Sequence, residues 1–116
     1  MEQELNLQSI RKELEKQRET LLERIHEEQE YLRLDEANPD RTDLAQEYSS
    51  AERRAALLSQ MEESLQEVDD ALERLDDGTY GKCTNCGKPI PAARLEAIPQ
   101  TPYCVNCQQE LERRGY

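Results

Sequence analysis

Two C-x2-C pairs constrain this chain more than any other feature of it. Cys83-Thr84-Asn85-Cys86 and Cys104-Val105-Asn106-Cys107 are separated by seventeen residues, and together they hold every cysteine of the protein. Each short pair bends the backbone into a knuckle that presents two sulfurs to one centre. Gly87 follows the first pair, where a tight turn tolerates a residue without a side chain. Two knuckles at this separation predict one tetrahedral zinc site, with four thiolates at about 2.3 Å and no open position. Cys83, Cys86, Cys104 and Cys107 are therefore the expected ligands of one structural Zn2+. Iron also accepts a tetrahedral four-sulfur site. A redox C-x-x-C belongs in a βαβ setting that the sequence does not show, and two disulfides suit a secreted chain with a signal peptide, which is not visible here.

The remaining residues offer little for a conventional globular core. The chain has 116 residues, no Trp and no Phe, and its hydrophobic and charged fractions are equal at 35%. Helix pairs and a metal site can form from such material. No apolar run approaches the ~20 residues needed to span a bilayer, so a soluble, cytoplasmic protein without a membrane partner is expected. Residues 1–77 carry 23 acidic and 10 basic side chains, whereas residues 78–116 carry 3 and 5. So acidic a segment repels phosphate, which argues against autonomous DNA binding. It suits a basic groove on another protein. There is no Ser-His-Asp set, no Gly-rich phosphate loop and no open His-containing metal site, so an enzyme is not expected. The single histidine, His26, lies in a charged helical stretch and reads as a surface residue.

The order of elements follows from the breakers. Met1 to about Gln8 should fray or form a loose helical start. From there to about Leu34 nothing breaks a helix, and Leu7, Ile10, Leu14, Leu21, Ile25 and Leu32 form one stripe that Gln17 and Glu28 weaken. Pro39 ends that helix. A second helix should run from about Thr42 to Asp76. Its seam is Leu44, Tyr48, Ala51, Ala55, Leu58, Met61, Leu65, Val68, Leu72 and Leu75, in steps of three and four, and Gly78 stops it. A turn as short as residues 35–43 dictates an intramolecular antiparallel pair, and a monomer is expected. Each helix should be about 45–50 Å long. The fold class is thus mainly α. A long antiparallel coiled-coil hairpin (1–77, tip at 35–43) precedes a small four-cysteine zinc module with a C-terminal helix (78–116). Within that module Pro91 should open a short helix over Ala92 to Ala97, and a terminal helix should run from Cys104 to Arg114. Tyr31 and Tyr48 should pack near the tip, and Tyr80 and Tyr103 around the metal.

At these residues a resemblance emerges. Gly78-Thr79-Tyr80-Gly81, Arg94-Leu95-Glu96-Ala97 and Tyr103-Cys104-Val105-Asn106-Cys107 are similar to the zinc module of the DksA/TraR transcription factors. Asp40-Arg41-Thr42-Asp43-Leu44-Ala45 resembles that family's D-x-x-D-x-A tip motif. The resemblance implies a partner, bacterial RNA polymerase. It implies an arm in the secondary channel, tip residues Asp40, Asp43 and Ala45 near the active centre, and altered promoter-complex lifetime. Asp40 or Asp43 would also serve as a helix cap. The sequence departs from the family where basic residues help form a ppGpp site with the polymerase. Those positions carry Gln60, Glu67 and Gln108 here, with Arg94 the nearby basic residue that is kept, so ppGpp synergy is not expected. The alternative reading is a zinc-stabilised coiled-coil adaptor, or a thiol- or metal-responsive switch, that does not act on polymerase.

Overall fold

The computed structural model describes residues 5–36 and 44–115, with side chains at 5–34 and 50–115. Among them lie four helices, in order α1 (Leu7–Glu36), α2 (Leu44–Asp77), α3 (Ala92–Ala97) and α4 (Val105–Arg113). Among the described residues there is no strand beyond an isolated antiparallel bridge between Lys82 and Pro89. The fold is mainly α, as the sequence predicts.

Local chemistry sets the helix ends. Asn6 precedes α1, and its Oδ1 accepts a 3.1 Å hydrogen bond from the Ser9 N–H, which satisfies one of the free donors of the first turn. At the end of α2, Gly78 takes a left-handed φ of 78°. The Thr79 N–H then turns back to donate to the Arg74 carbonyl at 2.9 Å, which closes the helix. Pro91 leads into α3, and Cys104 caps α4 by accepting from the Cys107 N–H.

The chain divides into two compact units. One takes the described residues of Met1–Gln17 and Glu67–Tyr116, the other those of Arg18–Gln66. In the first, the start of α1 lies antiparallel to the end of α2. Leu14 and Ala71 are wholly buried there, and Val68 nearly so. Arg11 reaches Asp76 at 2.8 Å across that pair. In the second unit Ile25 and Met61 are buried. Arg54 of α2 binds Glu28 of α1 at 2.9 Å and lies 3.6 Å from the centre of the Tyr31 ring.

The seam differs in detail from the expected stripes. Leu7 is 51% exposed and Ala55 is exposed, whereas Ala71, outside the expected seam, is fully buried. Steps of three or four from Val68 reach either Ala71 or Leu72, and periodicity alone does not choose between them. Glu28 weakens the stripe in sequence, yet it is accommodated by the ion pair with Arg54. Leu5, within the stretch expected to fray or to start a helix loosely, packs against the core of the zinc module.

Candidate metal centre

The loop from Gly78 to Cys86 brings the first two cysteines together. Ile90 donates its N–H to the Gly81 carbonyl at 2.7 Å, and Cys83 donates to the Lys88 carbonyl at 2.9 Å. Between those bonds the chain turns at Gly87, with φ 77°, and the Gly87 N–H returns to the Cys83 carbonyl at 2.9 Å. Gly81 also needs its missing side chain. Its φ is 93°, a backbone conformation that strains any L side chain.

The second knuckle is held by a polar network around Arg94. The Arg94 Nε donates to the Tyr103 carbonyl at 3.1 Å, next to Cys104. Buried Thr101 donates its hydroxyl to the same carbonyl at 3.1 Å. Thr84 ties the two knuckles together: its N–H meets the Pro102 carbonyl at 2.8 Å and its hydroxyl meets it at 3.2 Å. Beneath them Cys83, Ile90, Leu95 and Cys107 form the core, with Tyr80, Tyr103 and Leu5 packed against it. The Tyr80 hydroxyl donates to the Pro99 carbonyl at 2.8 Å. Burial pushes its pKa up to about 12.

All four sulfurs lie within 4.8 Å of one another. Cys86 Sγ and Cys104 Sγ are 3.9 Å apart, close to the about 3.8 Å edge of a tetrahedron with 2.3 Å metal–sulfur bonds. N–H groups point at the sulfurs as well. The Asn85 amide donates to Cys107 Sγ at 3.3 Å, and the Cys107 N–H donates to Cys104 Sγ at 3.5 Å. Burial raises the Cys83 thiol, but the backbone N–H groups of Cys104, Cys86 and Asn85 outweigh it and hold the pKa at about 6. The Cys107 N–H lowers Cys104. For Cys107 the Asn85 amide lowers the pKa, but burial and the three neighbouring thiols push it up to about 12. Without a cation, four thiolates so close cannot all ionise at neutral pH. A dication relieves that repulsion, and a closed four-sulfur set is the choice of zinc. The donor set fits one structural Zn2+.

Of the other residues singled out in the sequence, Asp40 and Asp43 lie outside the described residues. Ala45 falls in α2, with its side chain outside them. The polar network of Arg94, Thr101 and Tyr103 was not read from the sequence. Nothing in residue type or spacing marks a Thr as buried.

The structure defines a class first: a four-sulfur zinc finger joined to an antiparallel pair of long helices. Residues 78–113 match the prokaryotic dksA/traR C4-type zinc finger. The chain is 36% identical over 101 residues to the RNA polymerase-binding transcription factor DksA of Caulobacter vibrioides, a match that covers 87% of this chain and 66% of that protein. Its structure is similar to that of transcription factor DksA2 from Pseudomonas aeruginosa, with a TM-score of 0.80, 34% identity, and 93% of this chain and 84% of the other covered. It is also similar to the solution structure of DnaK suppressor protein from Agrobacterium tumefaciens C58, with a TM-score of 0.65, 32% identity, and 93% and 96% covered. The chain belongs to the DksA/TraR family. It spans at most two thirds of the length of the first curated relatives it matches.

Proposed function

We propose that this protein is a non-enzymatic regulator of transcription that binds bacterial RNA polymerase through the secondary channel. The observation that supports it most is the agreement of helix pair and zinc module, over 93% of the chain, with a transcription factor structure. A relative named as polymerase-binding adds to it. In this reading residues 1–77 form the arm, residues 78–116 the docking base, and Asp40, Asp43 and Ala45 the tip near the active centre. The protein acts as a cytoplasmic monomer. No described helix is long and apolar enough to cross a membrane.

Synergy with ppGpp is not part of this proposal. Glu67, Asp70, Glu73 and Asp77 line a groove of about 530 Å3 together with Arg74 and Tyr103, and so many carboxylates repel a polyphosphate. Gln108 is engaged with Glu112 at 3.2 Å, and Arg94 with the backbone before Cys104.

Two carboxylates add little binding energy by themselves, but they can shift a balance between promoter states if they interact differently with each. Asp43→Asn is expected to bind core polymerase within a few-fold of wild type and to lose most of the effect on promoter-complex lifetime. Both quantities are measurable on one responsive promoter. Failure of the wild-type protein to bind core polymerase sinks the proposal. An intact lifetime effect in both Asp40→Asn and Asp43→Asn removes the tip from it.

A further inference from the structure

The two knuckles repeat one pattern, C-x-N-C, with Asn85 in the first and Asn106 in the second. Their asparagines are used differently. Asn85 crosses to the other knuckle, where its Nδ2 donates to Cys107 Sγ at 3.3 Å. Asn106, exposed as Asn85 is, makes no hydrogen bond to a cysteine sulfur among the described residues. The difference follows from what comes after each pair. The first knuckle turns back at Gly87, with its N–H bonded to the Cys83 carbonyl, and so stays folded against the sulfurs. The second runs straight into α4, whose first turn carries Asn106.

We propose that Asn85 is a positioning residue of the metal centre. Its side-chain amide fixes the Cys107 thiolate and disperses that thiolate's charge, so that one knuckle holds a sulfur of the other in place for zinc.

The chemistry favours this. Four thiolates around one dication leave a net charge of minus two on the cluster, much of it on sulfur. An N–H aimed at a sulfur stabilises the charged form and makes it a weaker nucleophile. Cys107 is 8% exposed, with little room for water to do the same. Loss of a group that orients a metal ligand typically weakens metal affinity by about 10–100-fold.

The test uses the full chain loaded with zinc. Zinc affinity is measured by competition with a chromophoric chelator, and the rate of iodoacetamide modification is mapped to each cysteine by mass spectrometry. Asn85→Ala is expected to weaken zinc about 10-fold and to speed modification at Cys107 above the other three cysteines. Asn85→Asp keeps the shape but replaces the donor by an acceptor and adds a negative charge, so it should bind zinc more weakly still. Asn106→Ala should stay within twofold of wild type in both readouts. Equal effects of Asn85→Ala and Asn106→Ala would overturn the inference. So would uniform acceleration at all four cysteines, which reports a loosened module rather than a lost donor. Wild-type affinity in Asn85→Asp overturns it too. Complete loss of zinc in both Asn85 variants would place Asn85 in the folding of the knuckle and equally overturn it.

Discussion

The zinc module and the helix pair of Arg18–Gln66 reach order by different routes. In the module, Cys83, Ile90, Leu95 and Cys107 form the buried hydrophobic cluster, far less than a domain needs to fold on burial alone. Its loops are fixed instead by donors placed on carbonyls and sulfurs, and by a metal. In Arg18–Gln66 order comes from helix pairing. Long helices meet there over Ile25 and Met61, and the half-buried charge of Glu28 is met by Arg54. The module should therefore fail all at once when its metal leaves, and the arm should fail gradually as its contacts are removed.

Metal removal is the strongest way to break that contrast. Structural zinc contributes about 10–16 kcal/mol of apparent binding free energy in finger peptides. Chelation, or Cys104→Ser, is expected to abolish hydrogen-exchange protection in α3 and α4 while α1 and α2 keep theirs between residues 18 and 66. The start of α1 should loosen with the module, because Leu5 packs against its core. Persistent protection of α3 and α4 without metal would end the comparison. The pH dependence has a definite sign. Cys107, pushed up to about 12, is protonated before binding and must release its proton, so affinity falls with falling pH. Below about 6 Cys83 is protonated as well, and the fall should steepen. Calorimetry in buffers of different ionisation enthalpy counts the protons.

The same contrast governs what could be read from the sequence. Cysteine spacing is a rule about sulfur and metal geometry, and it identified a cluster that the structure brings within 4.8 Å. Breakers were equally legible: Gly78 and Pro91 stand where α2 ends and α3 begins. Burial along the helices was not. A stripe in steps of three and four leaves a choice at each step, so Ala71 was missed and Ala55 misplaced. The long-range partners of Glu28, Arg94 and Asn85 were out of reach, because nothing in residue type says which distant backbone or side chain will arrive. Leu5 belongs with these: a leucine before a helix announces no packing partner.

A second break acts on the arm. Leu14→Ala removes a fully buried side chain and is expected to cost about 2–5 kcal/mol in thermal or denaturant unfolding. Leu7→Ala, at a position 51% exposed, should leave the midpoint nearly unchanged. Equal costs at the two positions would mean that the pairing of α1 with α2 is not as described.

The Arg18–Gln66 unit offers a finer test. Arg54→Met keeps an apolar stem but leaves Glu28 unpaired and Tyr31 without its cation. The expected loss is roughly 1 kcal/mol, since the pair is only partly shielded from water. Glu28→Leu combined with Arg54→Met removes both charges and should recover most of that loss. If the double variant is no better than the single, the pair does more than neutralise a misplaced carboxylate.

The smallest expected effect separates the hydrogen-bond network of the module from its metal. Tyr80 donates to the Pro99 carbonyl, and its pKa is raised from the ordinary 10 to about 12 because burial disfavours the phenolate. Its folded pKa lies above the unfolded one. The stability it contributes is therefore complete below pH 10 and is lost as the pH rises through 12. Tyr80→Phe removes both the group and the hydrogen bond, at a cost of about 1 kcal/mol near neutrality. An alkaline absorbance titration of wild type, minus that of Tyr80→Phe, isolates one of the five tyrosines. That difference should titrate near 12 in the zinc-loaded protein and near 10 after chelation, since the packing that buries Tyr80 disappears with the module. A difference curve at 10 in both states would show that the module does not enclose this hydroxyl, and that its order rests on the four sulfurs alone.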